Sequence, residues 1–179
     1  MDFREIKEFL SDTFKYIIVI ILVLILAIYV ISLSQVVGNS MSPNYNDGDV
    51  VFVSKIHYKI STIQRNDIIS FKNEDTRYLI KRVIGLPGEH IKYKYGNLYV
   101  NNEIYHDDFS KVTADFDLIE LGYDTIPEDK YLVLGDNREV SNDSRRIGLI
   151  DKKNIKGSTS IRIWPITRFG KVKIEKYDN

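Results

Sequence analysis

The eighteen residues Tyr16–Leu33, YIIVIILVLILAIYVISL, contain no charged side chain. As an α-helix rising 1.5 Å per residue the run extends about 27 Å, close to a hydrocarbon core of ~30 Å, so it predicts a transmembrane anchor over residues 16–33. A cleavable leader would have a shorter apolar region, about 7 to 15 residues, closed by a small-x-small site. Ser32-Leu33-Ser34 resembles such a site only faintly, and the reading is a retained anchor. Arg4, Lys7 and Lys15 precede the run, and the next basic residue is Lys55. The positive-inside rule then puts residues 1–15 in the cytoplasm and residues 34–179 on the extracytoplasmic face of the cell membrane, since the acids Asp2, Glu5, Glu8 and Asp12 count little in it.

Beyond Ser34 the apolar positions fall in short runs rich in β-branched and aromatic residues, separated by Gly, Asn and Asp. This pattern predicts a mainly β domain, antiparallel and barrel-like, over residues 34–179. The expected strands are 50–54, 68–71, 78–84, 90–95, 98–100, 103–105, 130–134, 158–163 and 172–174. Gly96-Asn97 and Asn101-Asn102 read as two-residue hairpin turns, because Gly and Asn accept positive φ. Residues 109–128, with Asp115, Asp117, Glu120, Asp124 and Glu128, read as an acidic surface insertion, a solvated face lacking the ligand spacing of a calcium loop.

An apolar fraction of 44% suffices for a packed core. The 25 basic and 25 acidic residues cancel, which argues against a nucleic-acid partner. There is no cysteine, so disulfides, thiolate catalysis and cysteine-ligated zinc are excluded. No cofactor or metal is expected.

Three features could carry chemistry. Ser40 lies in Gly38-Asn39-Ser40-Met41-Ser42-Pro43, just past the apolar run. Lys81 lies in the apolar strand pattern Tyr78-Leu79-Ile80-Lys81-Arg82-Val83-Ile84, where burial of an ammonium is costly. A serine hydroxyl is a weak nucleophile until a base takes its proton, and a desolvated lysine can be that base. The third feature is a polar loop, Gly135 to Arg145, directly after the apolar run Tyr131–Leu134. His57, His90 and His106 occupy no loop resembling a Ser/His/Asp site, and Gly85-Leu86-Pro87-Gly88 lacks the spacing of a phosphate cradle and reads as a tight turn.

Together these segments resemble the bacterial type I signal peptidases (leader peptidases) of the short Gram-positive form. The resemblance runs through Gly38-x-Ser40-Met41-x-Pro43, Asp47-Gly48-Asp49, Arg65-Asn66-Asp67-Ile68 with Phe71, Tyr78-x-x-Lys81-Arg82-Val83-Ile84-Gly85-x-Pro87-Gly88, and Gly135-Asp136-Asn137-Arg138-x-x-Ser141-x-Asp143-Ser144-Arg145. It implies a membrane-bound serine endopeptidase that cuts signal peptides from secretory preproteins after small-x-small sites. Ser40 would be the nucleophile, Lys81 the general base and Ser141 the group that orients it. The Ser40 amide and Gly38 would form the oxyanion hole, and Asp143 with Arg145 a structural ion pair, while Asp136 and Arg138 serve as scaffold.

The same resemblance places the shallow pockets for small side chains at Val36, Met41, Tyr45, Leu79 and Ile80. Asn44 stands where the family usually has Thr, a small polar replacement expected to bond a turn. The implied partners are preproteins, the lipid bilayer and the protein-export translocon. Trp164 and Phe169 could help the domain dip into the membrane interface. Two rival readings stand beside this one. A catalytically silent, membrane-tethered peptide-binding homologue would use the same fold, and a Ser/Lys self-cleaving repressor relative would need a DNA-binding domain where this chain has the apolar run.

Overall fold

The computed structural model describes residues 2–56, 58, 61–73, 78–109 and 113–172, apart from the side chains of 3, 26–29 and 31. Helix α1 spans Phe3–Val30 and passes directly into strand β1, Ile31–Gln35. The 16–33 run is therefore not one helix. Ile31, Ser32 and Leu33 pair with Ser54, Val53 and Phe52 of β2, Val50–Ser54. A β-branched residue followed by serines alternating with leucine suits a strand, and β2 offers its backbone groups a partner. The apolar part left to the helix, 16–30, is about 22 Å long. Among the described residues no helix is long and apolar enough to cross a membrane.

The remaining elements are β3 (Ile68–Lys72), β4 (Tyr78–Gly85), β5 (Ile91–Lys94), β6 (Asn97–Val100), β7 (Glu103–Tyr105), β8 (Phe116–Asp117), β9 (Lys130–Leu134), the short helix α2 (Ser144–Ile147), β10 (Ile150–Asp151), β11 (Ile155–Trp164) and β12 (Gly170–Lys171). They form two antiparallel sheets. The larger runs β1-β2-β11-β3-β4-β9-β10, with β12 on β11, and the smaller runs β7-β6-β5-β8. The mainly β, antiparallel expectation is met. Strands β1, β8, β10 and β12 had no strand signal of their own; of the expected 172–174 strand, Val172 lies just past β12 outside any strand, and residues 173 and 174 lie outside the described residues.

Register explains one displaced turn. Lys94 pairs with Asn97, so the β5–β6 turn is Tyr95-Gly96, both at positive φ, and not Gly96-Asn97. Pairing Tyr93 with Leu98 buries both on one face, and a slip of one residue would turn them to solvent. The β6–β7 turn is Asn101-Asn102, as expected.

The acidic stretch also differs from expectation. Asp115, Glu120, Asp124 and Glu128 are exposed, but Phe109, Phe116, Leu118 and Ile126 between and beside them are buried. Phe116, Leu118 and Ile126 pack with Ile84, Ile91, Tyr93, Leu98, Leu132 and Leu134. The segment thus helps to close the core of the smaller sheet rather than forming an appendage on its surface.

Candidate active site

Two strand ends create the site. Strand β9 pairs with β4 only from Arg82 to Gly85, so it leaves Tyr78–Lys81 beside a cleft. Opposite, the chain leaves β1 and loops through residues 36–49 before β2 begins. This loop is pinned at its neck, where Val36 N–H donates to Asp49 O (2.8 Å) and Gly48 N–H to Val36 O (3.0 Å). Its apolar underside, Val36, Met41 and Tyr45, packs with Val51, Val53, Ile68 and Ile80. Asn137 N–H, just past β9, donates to Ser40 O at 3.0 Å and so ties the serine to the polar loop.

These constraints bring Ser40 and Lys81 together: Lys81 Nζ lies 2.6 Å from Ser40 Oγ and 3.1 Å from Ile80 O. Lys81 is only 3% exposed. Burial lowers its pKa from 10.5 to about 8, although the carboxylates of Asp143 and Asp136 pull the other way. A neutral amine on a serine hydroxyl can take its proton. The Ser40 N–H has no hydrogen bond to any described residue and is available to a developing negative oxygen.

Several predicted residues stand differently from expectation. Ser141 is buried, and no hydrogen bond joins its Oγ to Lys81; its hydroxyl lies by the Asp143 carboxylate and helps to lower that group's pKa. The ammonium position is held instead by Ser40 and the Ile80 carbonyl. Gly38, at positive φ, donates its N–H to Asp47 Oδ1 at 2.7 Å, so that donor is already engaged. Tyr45 is fully buried in the core beneath the loop and does not line the cleft, whereas Val36, Met41, Leu79 and Ile80 do. His57 lies outside the described residues. The His90 ring meets Asp124 O and Asp117, and His106 is exposed beside Asp108.

The ion pair of Asp143 and Arg145 is formed, with Nη2 to Oδ2 at 2.9 Å. Burial raises the Asp143 pKa, but hydrogen bonds and the Arg145 charge outweigh it and hold the carboxyl below its ordinary value. The same carboxylate caps α2 and accepts from Gly135 N–H at 3.1 Å. Asp136 binds the buried Arg82 through two 2.7 Å contacts. Asn44 donates its Nδ2 to Asp136 at 2.8 Å. Its side chain therefore serves this buried network, in which Asp136 presents a charged acceptor.

Sequence reasoning missed part of the cleft, which has a volume of about 850 Å³. Tyr78, Val37 and Val140 add apolar wall, and Asn39, Asn137 and Asn142 add amides. Val140 was visible as one apolar residue within the polar loop, a signal that could have been used. Gly135 stood in the recognised motif without a role of its own. A Cβ built there would stand 2.3 Å from Ser141 Oγ and 2.4 Å from Ser40 O.

With this geometry in view, comparison with known proteins is decisive: residues 10–164 match the signal peptidase family, peptidase S26. The chain belongs to that family. It is 35% identical over 181 residues to signal peptidase IB of Staphylococcus aureus, covering 91% of this chain and 93% of the relative. It is 45% identical over 137 residues to signal peptidase I V of Bacillus subtilis, covering 70% and 82%. A crystal structure of a signal peptidase I from Enterococcus faecalis V583 is similar with a TM-score of 0.52 and 38% identity, over 55% of this chain and 97% of that one.

For a signal peptidase of this shape, Gly135→Ala is expected to lower kcat by about a hundredfold, since a displacement of ~1 Å in a reacting group costs about that much. Single-turnover cleavage beside a circular-dichroism spectrum checks it, the fold being retained.

Proposed function

We propose that this chain is the serine endopeptidase that frees secretory preproteins from their signal peptides, with Ser40 as nucleophile and Lys81 as general base. The observation that carries the reading is the 2.6 Å contact between Lys81 Nζ and Ser40 Oγ in a buried site where the lysine is driven toward its neutral form.

Ser40 Oγ attacks the carbonyl carbon of the scissile amide while its proton passes to Lys81 Nζ. The oxyanion so formed faces the Ser40 N–H, and a donor of this kind is worth ~2.7 to 4 kcal/mol in comparable sites. Lys81 then gives the proton to the departing nitrogen, the C–N bond breaks, and the mature protein leaves with a new amino terminus. Water attacks the carbonyl carbon of the remaining ester while Lys81 takes its proton, and Lys81 returns that proton to Ser40 Oγ as the C–O bond breaks and the signal peptide departs. The buried side chains Val36, Met41 and Ile80, with Leu79, line a shallow apolar section of the cleft. Only small residues at the first and third positions before the cut suit it. Ser141, with a buried hydroxyl beside Gly135, is assigned a supporting role through packing against that glycine.

The anchor is assigned to α1, whose apolar half would hold the domain at the outer surface of the cell membrane with residues 1–15 inside. Trp164 and Phe169, both more than half exposed, are suited to the interface on the domain side.

The test is cleavage of a purified preprotein whose signal ends in Ala-x-Ala, by the full chain in detergent, across pH 6 to 10. The new amino terminus is read by mass spectrometry. Cleavage after the second Ala is expected, absent in Ser40→Ala. The rate should climb as pH rises through about 8, because only deprotonated Lys81 accepts the serine proton. A rate independent of pH over this range, or cleavage surviving in Ser40→Ala, would overturn the assignment.

A further inference from the structure

Strand β11 pairs with β3 through a register slip between Ile155 and Gly157, which places Lys156 in a bulge. Bulges re-aim side chains, often beside active sites. Gly157 permits the close approach this requires, since a Cβ there would stand 2.1 Å from Ser54 O. The result is that Lys156 Nζ lies 4.1 Å from the centre of the Tyr78 ring. Burial, and to a lesser degree the Lys55 charge, lower the Lys156 pKa.

Tyr78 is a wall of the cleft and is 48% exposed. It precedes Lys81 by three residues on β4, about 10 Å at 3.3 Å per residue. Leu79 and Ile80, which help to line the narrow apolar section, lie between. An extended substrate with its small side chains in that section reaches Tyr78 some three to five residues before the cut. The orientation has a second support. Ser34 and Gln35 line the cleft, and β1 leads from them back to α1, where Lys55 N–H binds Val30 O at 2.9 Å. A preprotein's own apolar helix comes from the same side as that anchor.

A helix ends in four carbonyls without partners and carries partial negative charge there, which a nearby lysine stabilises. We propose that Tyr78 and Lys156 form a subsite for the upstream end of the signal peptide. The ring packs on the residues joining the peptide's helix to the cut, and the ammonium faces the helix's last carbonyls. This assignment rests on the peptidase reading above. It makes the enzyme selective for charge at a position outside the small-x-small site.

The experiment uses the full chain in detergent and three preproteins identical except for Glu, Gln or Lys at the fifth position before the cut. kcat/KM is measured for wild type, Lys156→Gln and Lys156→Glu. Wild type should prefer Glu to Lys by about two- to fivefold, the range of a partly exposed charge contact. Lys156→Gln should remove the preference and Lys156→Glu reverse it. A merely structural role for Lys156 would lower all three rates together, and the same charge ranking in all three enzymes overturns the proposal. Failure of the peptidase reading is distinguishable, since wild type would then cut none of the three.

Discussion

Lys81→Met is expected to abolish cleavage while making the folded protein more stable. The loss follows from general-base chemistry, which contributes about 10² to 10⁴ in rate. Methionine fills similar volume among Ile80, Met41 and the neighbouring apolar side chains but cannot accept a proton. The gain follows from the cost of burying an amine. The free side chain holds its proton up to 10.5, and in the fold that pKa is about 8. Each pH unit between the two is worth 1.36 kcal/mol, so below pH 8 the site carries a burden of about 3 kcal/mol. Above pH 8 the unfolded chain binds more protons at this position than the folded one. The burden therefore shrinks as pH rises and vanishes near 10.5. Urea unfolding in detergent checks both parts: the variant should exceed wild type by up to about 3 kcal/mol at pH 7, and the difference should narrow by pH 10. An equal or lower stability of the variant at pH 7 would contradict a strained, desolvated lysine.

Asp136→Ala carries the largest expected loss of stability, about 3 to 5 kcal/mol, because it strands the Arg82 guanidinium at zero exposure. Asp136 also accepts from Asn44, on the loop bearing Ser40, so activity should fall even where the fold survives. The control is Asp136→Leu combined with Arg82→Met, which removes both charges and should recover much of the stability. Thermal unfolding of the three proteins separates the outcomes. A single Asp136→Ala protein as stable as the double variant would mean that Arg82 finds water or another acceptor.

The sequence was most legible where one local pattern sufficed. Alternation located the central strands, and the apolar setting of Lys81 marked it as unusual before its distance to Ser40 was known. What escaped depends on partners remote in sequence. Ile31–Leu33 read as more helix because their strand character appears only against Phe52–Ser54. The buried phenylalanines of 109–128 were hidden by the acids around them, whose side chains do point outward. Tyr45 seemed a pocket residue by its nearness to Ser40, but one further turn of the loop carries it into the core. Gly38 looked available as a donor, and only the fold reveals Asp47 folding back to occupy it.

The order of the larger sheet has a consequence for biosynthesis. Strand β11, made after β2, β3 and β4, lies between β2 and β3, which do not otherwise pair. The half bearing Ser40 and the half bearing Lys81 are hydrogen-bonded into one sheet only when residues 155–164 arrive. A nascent chain that ends before residue 155 therefore has both reactive side chains but no sheet joining them. Both reactive side chains are thus made before the strand that joins their halves of the sheet.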